Sequence, residues 1–142
     1  MKYLIFLAPI LFIATTIPAA AGCVGLGFDE PLTASEIEDS LNGMRINTTA
    51  PGGENSKEDH CSTGSLYKVG AGNDIDPRKK VGTWSASGGD HIQYLYDGNQ
   101  QYTFKLYENA NGDLCWESET GDTIATTASA PTPIPDGLTC AP

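Results

Sequence analysis

The stretch that decides the fold is Val81-Gly82-Thr83-Trp84-Ser85-Ala86-Ser87-Gly88-Gly89-Asp90-His91-Ile92-Gln93-Tyr94-Leu95-Tyr96-Asp97-Gly98-Asn99-Gln100-Gln101-Tyr102-Thr103-Phe104-Lys105-Leu106-Tyr107. Three segments alternate with period two, are rich in β-branched and aromatic side chains, and are parted by Gly-Gly-Asp and Asp-Gly-Asn, which read as hairpin turns. Asn111-Gly112 turns the chain once more, into Asp113-Leu114-Cys115-Trp116-Glu117. Neighbouring strands joined this tightly are antiparallel, because a parallel pair needs a crossover of a dozen residues or more. Tyr102, Phe104 and Leu106 share one face of their strand, and Thr103, Lys105 and Tyr107 share the other.

Toward the N-terminus, residues 44–48 alternate and residues 64–69 form a short strand candidate carrying Leu66 and Tyr67. Residues 50–59, with Pro51-Gly52-Gly53, read as a polar loop. Before them stands a strong helix signal, Leu32-Thr33-Ala34-Ser35-Glu36-Ile37. Thr33 can cap the first N–H groups, Glu36 can reach back to the cap, and Leu32 can staple onto Ile37. Ile37 and Leu41 fall one turn apart, and Gly43 supplies a left-handed stop, so the helix is predicted over residues 34–42. The fold class is therefore mainly β: a curved antiparallel meander of about five to seven strands with one short N-terminal α-helix.

The chain has 142 residues, one domain's worth. At its start, Met1-Lys2, an apolar run to Ile17 and then Pro18-Ala19-Ala20-Ala21 have the layout of a secretory signal peptide. The run is shorter than the roughly 20 residues that span a bilayer. The expected divisions are a signal peptide at 1–21, a glycine-rich lead-in at 22–31, the helix plus antiparallel β domain at 32–128, and a proline-rich tail at 129–142, loose unless Cys140 anchors it. Ala19 and Ala21 suit cleavage before Gly22. Ala20-Ala21-Gly22-Cys23 also resembles a permissive lipobox, which would make Cys23 a lipidation site. The expected location is thus exported, either periplasmic or extracellular, with an outer-membrane lipoprotein as the alternative. Membrane attachment would come only through a lipid on Cys23.

Acidic residues number 18 against 8 basic ones. Cleavage after Ala21 removes Lys2 and no acid, leaving 7 against 18, a balance of −11. Such a surface lacks the cationic footprint of a nucleic-acid binder. It suits a cationic protein or a small ligand as partner, drawn by opposite charge.

An exported chain matures where cysteines pair, and Cys23, Cys61, Cys115 and Cys140 give two bridges with none left over. Three connectivities exist; joining Cys61 to Cys115 and Cys23 to Cys140 would tie the two Gly/Pro-rich ends together. The cysteines lack C-x-x-C spacing, so zinc is disfavoured. His60 and His91 have neither a nucleophile elbow nor a papain-like context, so no catalytic residue, cofactor or metal ligand is assigned and no enzyme is expected. Residues 70–76 resemble one calcium-binding nonapeptide unit, but such ions need stacked copies. Arg78-Lys79-Lys80 is the one basic cluster. Trp84, Tyr94, Tyr96, Tyr107 and Trp116, together with Tyr102, read mostly as cross-strand and core residues. On a wet face, the first five would mark a binding patch.

The segment Asp74-Ile75-Asp76-Pro77-Arg78-Lys79-Lys80-Val81-Gly82-Thr83-Trp84-Ser85, with Leu41-Asn42-Gly43 before it and Gln101 to Tyr107 and Leu114-Cys115-Trp116 after it, resembles a family of small uncharacterised exported proteobacterial β-proteins. The shared pattern is an L-x-G after a short helix, DP…VGTWS, a tyrosine-rich hairpin and a late cysteine. The resemblance implies the β fold and bacterial export, and it implies no activity. In that family a cysteine often follows the L-x-G; here Met44-Arg45-Ile46-Asn47 stands in that place and the corresponding candidate is Cys61. The functional expectation is an exported, acidic, disulfide-stabilised binding module without enzymatic activity; the alternative is a lipid-anchored structural protein of the bacterial envelope.

Overall fold

The computed structural model describes residues 22–49, 53, 55–70, 78–119 and 125–140. The signal-peptide reading of residues 1–21 and all but Gly70 of the nonapeptide-like turn lie outside them.

Helix α1 spans Ala34–Leu41. Its capping box is complete: Glu36 N–H donates to Thr33 Oγ1 (3.4 Å) and Thr33 N–H donates to the Glu36 carboxylate (2.8 Å). That contact holds the Glu36 carboxyl below its ordinary value. Gly43 takes the left-handed conformation after the helix, with φ 74°. Ile37 and Leu41 are buried.

The strands are β1 (Met44–Thr49), β2 (Asn55–His60), β3 (Ser65–Val69), β4 (Lys79–Ser87), β5 (His91–Tyr96), β6 (Gln100–Glu108), β7 (Leu114–Ser118), β8 (Thr126–Ala128) and β9 (Thr132–Pro133). Every ladder is antiparallel. Strands β1 to β8 pair in sequence, and β8 returns to β1 through Thr48 opposite Ala128 and Thr49 opposite Thr127. The sheet is thus a closed eight-stranded barrel rather than an open meander of five to seven strands. Two elements make the difference. The expected polar loop contains β2, paired along its whole length with β1. The second is β8, at the end of the expected β domain, which closes on β1; the expected tail then adds β9 to β1 beside Met44 and Arg45. Pro133 is tolerated there because β9 is an edge strand.

Alternation places Ile46, Leu66, Trp84, Ile92, Tyr94, Leu106, Leu114 and Trp116 inside the barrel, in one core with Ile37 and Leu41 of α1. The helix lies across one end, where Ala34 N–H donates to Gly89 O in the β4–β5 turn and Ser40 Oγ donates to Glu108 at the end of β6. Burying an aliphatic core side chain such as Ile37 or Leu41 is worth about 1.5–3 kcal/mol.

Both disulfides depart from the pairing favoured by the sequence. Cys23 bonds Cys115, and Cys61 bonds Cys140. Cys61 follows β2 and Cys115 lies on β7, strands on separate parts of the barrel wall, so those two sulfurs cannot meet. The lead-in, with a 3-10 turn at Val24–Leu26, instead packs outside β6 and β7, burying Cys23, Phe28, Tyr107, Cys115 and Ala125 together. The tail is held down: Ile134 N–H donates to Gly43 O (2.9 Å), and Cys140 is fastened beside β2.

Under that tail lies a buried ion cluster on the outer face. Asp59 is 0% exposed and accepts two hydrogen bonds from Arg45 (2.6 and 3.0 Å) and one from Arg78 (2.7 Å). Burial alone would raise the Asp59 carboxyl, but the two guanidinium groups outweigh it and hold it below its ordinary value. Arg78 also lies over the Tyr67 ring, 3.9 Å from its centroid, and donates to Thr139 O. The basic cluster is therefore divided, with Arg78 engaged in structure and Lys79 and Lys80 exposed. Among the described residues, no helix is long and apolar enough to cross a membrane.

Candidate functional site

The barrel is filled at the α1 end and hollow at the other. A cavity of about 320 Å³ opens there, lined by β1 (Thr48), β2 (Ser56, Glu58, His60), β5 (Tyr94, Tyr96), β6 (Tyr102, Phe104), β7 (Trp116) and β8 (Thr126). Eight-stranded barrels are at the size where side chains can fill the interior or leave room for one small ligand. Here both happen, in successive layers.

Four rings form a continuous wall. Centroid separations are 6.1 Å for Tyr94 and Tyr96, 5.9 Å for Tyr96 and Tyr102, 6.3 Å for Tyr102 and Phe104, and 6.1 Å for Phe104 and Tyr94. The register produces this quartet, because Tyr94 sits opposite Tyr102 and Ile92 opposite Phe104 on adjacent antiparallel strands. Tyr102, at the rim, is 46% exposed.

The floor is a polar chain. Trp116 Nε1 donates to Tyr94 Oη (3.0 Å), and Tyr94 Oη shares a 3.0 Å hydrogen bond with His60 Nε2. Trp84, which does not reach the cavity, packs its edge against His60 at 5.4 Å and donates Nε1–H to Cys61 O (3.0 Å). Burial lowers the His60 imidazole to about 4, so it is neutral at pH 7. Burial also lifts the Tyr94 hydroxyl well above its ordinary value, and the Glu58 charge adds to this. His60 and Tyr94 thus face each other as two neutral groups.

Among the described residues, the wall carries one carboxylate. Glu58 accepts from Tyr96 Oη at 3.3 and 3.4 Å. Burial pushes its carboxyl above the ordinary value, opposed by the Tyr96 hydrogen bond and the charge of Lys68, its register partner on β3. Among the described residues, no lysine or arginine lines the cavity.

Comparison with protein-family models, with curated proteins and with solved structures finds no match. What the site does must be argued from its own chemistry.

Of the aromatic residues marked by the sequence, Tyr94, Tyr96 and Trp116 meet at the cavity, inside the barrel rather than on an outer wet face. Trp84 belongs to the core below them. Tyr107 lies apart from the cavity: it points outward, is covered by the lead-in, and donates to Glu117 (2.8 Å). His91 starts β5 with its side chain outside the barrel, Nδ1 2.6 Å from Asp90, and so shares no site with His60. Among the described residues, no group of three or more His, Cys, Asp or Glu side chains could hold a metal. Sequence reasoning missed Ser56 and Glu58, which fell in the supposed loop. Their signal is the alternation Ser56-x-Glu58-x-His60, a strand pattern written in polar residues.

Proposed function

We propose that this protein is an exported, acidic, disulfide-stabilised binding module that takes a small ligand into the hollow end of its barrel and carries out no reaction there. The single observation carrying this reading is the open cavity walled by Tyr94, Tyr96, Tyr102 and Phe104 above an ordered polar floor. Its volume falls in the range of small-ligand sites, about 300–1,000 Å³, and the ratio of apolar wall to a few fixed polar groups is typical of them. A binding role is favoured over catalysis because His60 is neutral, enclosed, and bonded through Nε2 to a phenol rather than to an aliphatic hydroxyl. Two disulfides are compatible with maturation in an oxidising compartment, periplasmic or extracellular. The Cys23–Cys115 bond uses the sulfur that a lipid anchor would need, which favours release over lipidation.

The test is titration of the oxidised protein with N-phenyl-1-naphthylamine, a neutral dye that brightens in apolar surroundings. Saturable one-to-one binding is expected, and Ser56→Phe, which fills the cavity from β2, is expected to abolish it. Absence of saturable binding, or equal binding by the filled variant, refutes the reading.

A further inference from the structure

Resting on the reading of the cavity as a ligand cup, we infer that its ligand is a small organic cation, an amine or quaternary ammonium group, seated against the Tyr94, Tyr96, Tyr102 and Phe104 rings with Glu58 as its counter-ion. Three independent observations point the same way. The first is the ring wall. An aromatic face carries negative electrostatic potential, and a cation within about 6 Å of several ring centroids gains most when water is excluded. Rings spaced 5.9 to 6.3 Å apart around one opening present several faces and edges to the same small volume.

The second is the charge inventory. Among the described residues, Glu58 is the one acidic residue lining the cavity, and no basic residue lines it. Its hydrogen bond comes from the Tyr96 hydroxyl, and Lys68 is exposed on the neighbouring strand. A half-buried carboxylate facing an aromatic cup, its charge offset only in part by Lys68, gains from an incoming cation, gains nothing from a neutral guest and repels an anion. The polar floor does not compete for that role, because His60 is neutral at pH 7.

The third is the field of the whole molecule. With 18 acidic against 8 basic residues, the chain concentrates small cations near its surface and disfavours anions.

Three probes of nearly the same shape separate the possibilities: choline, its uncharged isostere 3,3-dimethylbutan-1-ol, and the anion 3,3-dimethylbutanoate. Each displaces N-phenyl-1-naphthylamine from the oxidised protein if it enters the cup. Choline is expected to compete at least tenfold better than the alcohol, and the carboxylate worst of all. Glu58→Gln is expected to erase the preference for choline while leaving competition by the alcohol unchanged, which doubles as proof that the variant is folded. Tyr102→Leu, a change at the exposed rim, is expected to weaken choline more than the alcohol. If the alcohol competes as well as choline, the cation inference fails and the ligand cup stands. Failure of the dye and all three probes to bind overturns both. Retention of choline preference in Glu58→Gln removes Glu58 as counter-ion and overturns the inference as stated.

Discussion

Replacing Asp59 with asparagine keeps the shape of the side chain and removes its charge, which isolates the cluster clamped between β2 and the tail. In the folded protein, Asp59 is fully enclosed, while the Arg45 and Arg78 side chains retain 16% and 12% exposure. Three hydrogen bonds to charged groups converge on the one carboxylate. Asparagine offers a single acceptor oxygen and turns an NH₂ group toward a guanidinium, so two cations are left close together with nothing between them. Removing one member of a buried ion pair costs about 3–5 kcal/mol; for Asp59→Asn we expect about 3 at pH 7, because both arginines can still reach some water. For a domain of this size that lowers Tm by more than about 10 °C. The pH dependence has a definite sign. The carboxyl sits below its ordinary value of 3.8 in the folded state, so its contribution is fully present above that pH and is lost as pH falls through the folded value. Urea melts of both proteins from neutral to acid pH should show their difference shrinking on acidification. A loss under about 1 kcal/mol at pH 7, or a difference that does not shrink below pH 3.8, refutes the assignment. Substituting the whole cluster with apolar residues, Arg45→Met, Asp59→Leu and Arg78→Met, should cost less than Asp59→Asn alone, since no charge is then stranded.

Two further expectations concern closure and stapling. A Cβ at Gly82 would overlap the Leu95 carbonyl and come within 2.9 Å of Tyr96 Cα, both backbone atoms of the paired strand, so Gly82→Ala should cost about 1–3 kcal/mol in a denaturant melt; a neutral result would show that β4 and β5 are not so closely apposed. Non-reducing peptide mapping should link Cys23 to Cys115 and Cys61 to Cys140 with no free thiol, and replacing either pair with serine should cost about 2–5 kcal/mol; a Cys61–Cys115 peptide would refute the pairing.

The parts of the fold that show in the sequence are those whose chemistry is local. The capping box at Thr33 and Glu36, and the hairpin turns at Gly88-Gly89-Asp90 and Asp97-Gly98-Asn99, each fix a few residues by short-range bonds, and the structure keeps them in place. Barrel closure is non-local, and the elements that achieve it carry weak signals. Strand β2 reads Asn-Ser-Lys-Glu-Asp-His because one face looks into a cavity and the other holds Asp59 between two arginines, so neither supplies the apolar alternation that marks a strand. Strand β8 has three residues, too few for any period. The same cause hid half of the candidate site. Its aromatic residues stand out on β5 and β6, yet alternation alone cannot say whether a face points to solvent or into a hollow barrel; Glu58 vanished with the strand that carries it. Disulfide pairing stayed open because it depends on which strands become neighbours around the wall.

The last consequence lies in the seam. On its β8 side, strand β1 makes two residue pairs with β8 and two with β9, and leaves Ile46 and Asn47 between them unmatched. This is the shortest ladder around the circumference, so local opening should begin there, with amide hydrogen exchange on β8 outpacing that on β4, β5 and β6. In an uncrosslinked barrel, such an opening would let the sheet unroll and expose two raw edges to other molecules. The bond from Cys61, just after β2, to Cys140, beyond β9, makes the chain from β3 to β9 a covalent hoop. The seam can breathe, but the hoop keeps the edges within reach of each other, so each opening ends in reclosure rather than in edge-to-edge assembly.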